Sequence, residues 1–183
     1  FPSGITEEVP LGENYYRILA SRVSHTDTVF LFWQEVTLQK KYESLLHLSN
    51  SVIENTIEGI FVTDADGTIE RVNPAFSQIT SYEPSEALGK NPRILKSNHQ
   101  GGEFYRRMWR EIGEKGYWTG EIWKKKKNGE AIPLWLSITS IIDTENNTQK
   151  YVAVFHDISR IKHTEAKLKQ QTYYDALTGL PNR

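Results

Sequence analysis

A strand-to-helix unit recurs in this chain at an interval long enough to hold a whole domain. Residues 31 to 46 read LFWQEVTLQKKYESLL, and residues 153 to 168 read AVFHDISRIKHTEAKL. Setting Glu35-Val36-Thr37 on Asp157-Ile158-Ser159 gives an offset of 122 residues, the step from position 35 to position 157. In each copy an aromatic strand runs into an acid, an aliphatic and a hydroxyl, and then into a charged helical stretch. An acid and a hydroxyl there offer capping oxygens to the orphan N–H groups of a helix start and negative charge to its positive dipole end. Upstream of each copy lies another alternating run, YYRILASRV (15 to 23) and PLWLSITSI (133 to 141), so each unit reads as a hairpin followed by a helix. The hairpin turns fall at Ser24 to Asp27 and at Asp143 to Asn147. Either two amphipathic stretches are alike by chance, or the tail of one domain precedes a complete domain of the same kind.

The residues between the copies supply the rest of a domain. Leu38, Leu45, Leu48, Val52 and Ile53 form a stripe at helical spacing. GIFVTDADGTIERVN is a hairpin signature, with Ile60, Phe61 and Val62 before a turn at Asp64 to Gly67, and Ile69 and Val72 after it. Pro74, Pro84, Gly89 and Pro92 then cut residues 74 to 99 into short helical pieces. A firmer helix follows Gly101-Gly102, with Phe104, Tyr105, Met108, Trp109 and Ile112 on one side. Three strands follow at 117 to 126, 131 to 141 and 150 to 158, with Asn128-Gly129 as a two-residue hairpin turn. The fold class is α+β.

Composition removes several chemistries. The chain has no cysteine, so disulfides, thiolate metal sites and cysteine nucleophiles are excluded. This also fits a reducing, cytoplasmic location. The net charge of -1 gives no field for nucleic acid. The run Lys124 to Lys127 reads as a solubilised strand edge. No apolar run approaches a membrane span, so no membrane contact is expected within this stretch, and any anchor of the parent protein would lie upstream. The opening Phe-Pro-Ser-Gly without Met reads as a domain cut.

The order of elements and the runs TDADGTIERVNPAFSQITSYEPSEALGKNPRILKS, YWTGEIWKKKKNGEAIPLWLSITSI and YVAVFHDISRIK resemble the PAS domain family. That resemblance implies a five-stranded antiparallel sheet with short helices on one face, flanked by signalling helices. The closing Asp175-Ala176-Leu177-Thr178-Gly179-Leu180-Pro181-Asn182-Arg183 resembles the opening D-x-L-T-G-L-x-N-R of GGDEF diguanylate cyclases, whose signature loop and metal-binding acids are not in this sequence. The expected organisation is the C-terminal hairpin of a preceding PAS-like domain (1–36) and a linker helix (37–50), then a PAS sensor (51–158), a signalling helix (159–174) and the start of a GGDEF domain (175–183). The implied role is regulatory. The fragment itself would not be an enzyme, and a small molecule in the PAS pocket would control cyclic di-GMP synthesis through the helices. A ligand-free dimerisation or spacer module is the alternative.

The resemblance also suggests pocket residues. Redox flavin PAS domains carry a pattern similar to Phe104-Tyr105-Arg106-Arg107-Met108-Trp109 followed by Tyr117-Trp118-Thr119-Gly120, with the equivalent of Trp109 beside the flavin. Arg93, Asn98 and His99 would supply donors to ring carbonyls or phosphates. Asn73, Trp118 and Trp123 complete the expected binding set, and no metal ligand is implied. The segment Asn91 to Leu95 has Pro92 where light-sensing relatives carry a cysteine, which excludes cysteinyl-flavin photochemistry, and where one relative has a flavin-contacting acid. FAD, heme through His99, and an empty or metabolite-filled pocket stay open. Leu38, Leu45 and Val52, and later Ile161 and Leu168, stand at heptad spacing, as a homodimeric coiled coil would have them. Each helix capping its own sheet is the other reading.

Overall fold

The computed structural model describes residues 5–22, 28–143 and 148–173; the turn segments at 24–27 and 144–147 and the nonapeptide 175–183 lie outside them. The chain divides into two compact units, Phe1–Val52 and Ile53–Arg183.

In the first unit, strands β1 (Ile5–Leu11), β2 (Asn14–Arg22) and β3 (Val29–Glu35) form an antiparallel sheet in the order β1-β2-β3. Helix α1 (Thr37–Asn55) follows. The β2–β3 pairing matches the hairpin read in the sequence. Strand β1 does not stand out there, because Glu7-Glu8 and Pro10 blur its alternation, and an edge strand such as β1 tolerates a proline. All seven residues of β3 are exposed. So are Leu38, Leu45, Leu48 and Val52, and the α1 stripe is therefore not part of this chain's own core.

The second unit holds β4 (Gly59–Thr63), β5 (Ile69–Val72), α2 (Pro74–Thr80), α3 (Pro84–Ala87), a 3-10 turn (Pro92–Leu95), α4 (Gly102–Lys115), β6 (Tyr117–Lys125), β7 (Ala131–Asp143), β8 (Thr148–Asp157) and α5 (Ser159–Tyr173). Its five strands form an antiparallel sheet in the order β5-β4-β8-β7-β6, the expected α+β architecture. The core lies between the sheet and the helices of residues 74–115. Phe61, Phe76 and Phe155 meet pairwise with ring centroids 6.0 to 6.1 Å apart, an arrangement aromatic quadrupoles favour. Gly59 makes room for this cluster, since a Cβ there would lie 2.3 Å from Cζ of Phe155. The β6–β7 connection is a five-residue loop rather than a two-residue turn. Lys126 N donates to Glu130 O and Gly129 N to Lys126 O, and within the loop only Gly129 has positive φ.

The internal repeat holds at the level of hydrogen bonds. Val36 N donates to Tyr15 O at 2.8 Å, and Ile158 N, 122 residues on, donates to Pro133 O at 3.1 Å. Lys40 N donates to Val36 O, as Lys162 N does to Ile158 O. Lys40 also pairs with Glu8 on β1 at 2.5 Å, and Lys162 with Glu121 on β6 at 2.8 Å. Counted across the ladders, Glu8 faces Arg17, two residues after Tyr15, and Glu121 faces Trp135, two residues after Pro133. The β1-β2-β3-α1 and β6-β7-β8-α5 units are therefore built alike, residue for residue at these points.

Candidate functional site

A cavity of about 760 Å³ opens between the inner face of the five-stranded sheet and α4. Its floor is apolar: Phe61 on β4, Leu136 and Ile138 on β7, and Ala153 on β8, with Met108 of α4 opposite. Strand alternation sends these side chains inward, and α4 brings Tyr105, Met108 and Trp109 to the same side at spacings of three and four. Trp109 sits at the mouth, 47% exposed, edge-on to Tyr151 of β8 at 5.3 Å.

The polar part of the wall is cationic. Arg93, Lys96, Arg106 and Lys124 line it against a single carboxylate, Asp66. None of the four cations has an ion-pair partner among the described residues. Lys96 and Lys124 are brought together by a β-bridge that lays the segment after the 3-10 turn on β6. Their ammonium groups stand 5.5 and 5.6 Å from the centre of the Tyr105 ring. Desolvation, and then the charge of Lys96, push the Lys124 pKa down from 10.5 to about 8. Burial pushes the Tyr105 phenol up, and its hydroxyl oxygen is buried with no hydrogen-bond partner.

Of the seven expected binding residues, the structure brings Arg93 and Trp109 to this wall and places the other five elsewhere. Asn73 is buried as a structural clasp. Its Oδ1 accepts from Phe76 N, capping α2, and from Ile60 N, while its Nδ2 donates to Ile53 O and Glu58 O. Trp118 lies in the core, edge-on to Phe104 at 5.8 Å, with its indole over Gly120, where a Cβ would come within 2.8 Å. The Trp-x-Gly pattern is thus a packing device. Trp123 stacks on His99 at 4.5 Å, and its backbone is clamped by Ser97 Oγ and Gln100 Oε1, so this pair covers β6 outside the cavity. Asn98 is exposed on the same segment. The lysine run is also reassigned in part. Lys126 and Lys127 pair with Glu130 and Glu86, but Lys124 turns inward. Strand parity gives the reason, since Trp118, Ile122 and Lys124 share the inner face.

The PAS domain model matches residues 57–160. The chain belongs to the PAS domain family. It is 29% identical over 119 residues to a nitrogen fixation regulatory protein of Klebsiella oxytoca, covering 65% of this chain and 24% of that protein. It is 27% identical over 126 residues to a blue-light-activated histidine kinase of Brucella canis, covering 65% and 26%. The chain thus spans about a quarter of the length of these curated relatives. Among solved structures, a PAS domain from Colwellia psychrerythraea aligns with a TM-score of 0.59 at 20% identity, over 63% of this chain and 98% of that one, which supports the fold. In coarse terms this PAS domain is a sensory, signal-transduction module, as in regulators and kinases. Among the described residues, no helix is long and apolar enough to cross a membrane, and no three acidic or histidine side chains group as a metal site would need.

Proposed function

We propose that this PAS domain senses a small molecule in the α4 cavity and relays its occupancy through α5 to a C-terminal diguanylate cyclase. One observation carries the relay: the strands that floor the cavity also hold the first turn of α5. Leu136, Ile138 and Ala153 of β7 and β8 line the cavity. Further along the same strands, Pro133 O accepts from Ile158 N, and Asp157 Oδ1 accepts from Ser159 N at 2.7 Å. Lys162 adds an ion pair to Glu121 on β6. A shift of β8 against β7 would therefore turn the helix start. The cyclase reading rests on Asp175 to Arg183, and a homodimer is supported by the exposed heptad positions Ile161 and Leu168. The parallel hydrogen bonds of the repeat support reading residues 1–36 as the C-terminal hairpin of a preceding PAS-like domain, followed by a linker helix.

The cavity wall suits a flavin. Trp109 and Tyr105 offer aromatic surface, and Lys96, Lys124 and the free Tyr105 hydroxyl offer donors to ring carbonyls. A bound flavin would make redox state the signal. Heme does not fit, because no histidine among the described residues lines the cavity and His99 is stacked on Trp123 outside it. An absorption band at about 450 nm in the purified protein identifies flavin. For the relay, filling the cavity with Ala153→Leu is expected to change the rate of cyclic di-GMP formation from GTP in the protein carrying the whole cyclase domain. An unchanged rate in a folded variant contradicts the reading.

A further inference from the structure

We propose that the α4 cavity is selective for an amphipathic anion, with its apolar body on the sheet and its charged group beside Lys96, Lys124 and the Tyr105 hydroxyl. The proposal rests on the reading of this cavity as the ligand site and names the chemistry the site would recognise.

Three features point to a missing negative group. Two ammonium groups are held near one aromatic ring by a backbone bridge, with no carboxylate partner among the described residues. Lys96 is exposed, but Lys124 is half-buried and desolvated, and a second like charge beside a desolvated ammonium is unfavourable unless an anion completes the set. The Tyr105 hydroxyl, at the same ring, is a buried donor without an acceptor, which is rare in a finished site. The charge balance of the wall is four cations to one carboxylate, while the chain as a whole carries a net charge of -1, so the excess is local to the cavity. Opposite this cluster the wall is hydrocarbon, from Phe61, Met108, Leu136 and Ile138. A small inorganic anion would leave that surface uncovered, and a neutral apolar molecule would leave the lysines and the phenol unanswered.

The test compares two fluorescent probes of one skeleton, 8-anilinonaphthalene-1-sulfonate and its neutral analogue N-phenyl-1-naphthylamine, titrated into the protein. The sulfonate is expected to bind more tightly. In the double variant Lys96→Met, Lys124→Met its affinity should fall about tenfold to a hundredfold, as loss of charge-assisted contacts implies, with the neutral probe changed less than about twofold. Tyr105→Phe, a milder change, should weaken only the sulfonate, by about threefold to tenfold. Sulfonate binding that is unchanged in both variants overturns the proposal. Ala153→Leu and, as a second cavity-filling variant, Met108→Phe separate the two levels of inference. If both probes bind equally well and both are displaced by filling, the cavity is a ligand site without anion selectivity. If filling displaces neither probe in folded variants, the reading of the cavity as the binding site fails with it.

Discussion

Replacing Lys124 with methionine should stabilise the folded protein at neutral pH, against the usual sign for a buried-site substitution. The Lys124 pKa falls from 10.5 in an exposed chain to about 8 in the fold, first through desolvation and then through Lys96. Each unit is about 1.4 kcal/mol, so the protonated side chain costs the fold about 3 kcal/mol. Its contact with the Tyr105 ring returns about 1 kcal/mol, which leaves an expected gain of about 2 kcal/mol for Lys124→Met. The pH dependence identifies the cause. Below about pH 8 both states hold the proton and the cost is constant. Between about 8 and 10.5 the unfolded chain keeps the proton while the fold has lost it, so wild-type stability rises with pH. Above that window both states are neutral and the cost is gone. Arg93, Lys96, Arg106, Asp66 and Tyr105 face the same cavity, and Lys40, Lys127 and Lys150, whose pKa values are raised by their carboxylate partners, titrate in the opposite sense. The quantity to measure is therefore the difference between variant and wild type. Urea unfolding at pH 7, 8, 9 and 10 should show the advantage of the variant nearly constant up to about pH 8 and shrinking beyond it. A variant less stable than wild type at pH 7, or a difference that does not change with pH, refutes the desolvated-lysine picture.

Two further substitutions test the frame around the cavity. Asn73→Ala removes partners from two amides and two carbonyls at once and should cost about 3 to 5 kcal/mol in urea unfolding, with little change if those bonds are replaced by water. Gly59→Ala places a methyl 2.3 Å from Cζ of Phe155, inside the three-ring cluster, and should cost about 2 kcal/mol or more, read as a lowered melting temperature.

The legible parts of this protein are those fixed by local pattern. Alternation at 60–72, 117–125 and 131–141 gave away strands, Pro74, Pro84 and Pro92 marked each short helical start, and the repeat around Val36 and Ile158 marked two equivalent strand-to-helix corners. The site was less legible, because tryptophan is equally suited to a cofactor wall and to a core. Trp109 is at the cavity mouth, whereas Trp118 is fixed by Gly120 and Phe104, a choice made by tertiary contacts. Asn73 follows a hairpin and precedes Pro74-Ala75-Phe76, so its capping role was readable from position. Lys124 was hidden in a run of four lysines. Its parity with Ile122 was the available signal, but the partner Lys96 arrives through a bridge across 28 residues, which no local pattern announces.

The relay from cavity to α5 is tested most directly by hydrogen exchange at the corner itself. The amide of Ile158 donates to Pro133 O on β7, which ties the helix start to the sheet, and the amide of Lys162 donates to Ile158 O in the helical turn that this tie sets. Comparing wild type with the cavity-filled variant Ala153→Leu, exchange of these amides should change by about threefold or more, while the amides of β1 to β3 keep their rates. Unaltered exchange at Ile158 and Lys162, with altered exchange around Met108 and Ile138, would show a cavity that does not speak to the helix.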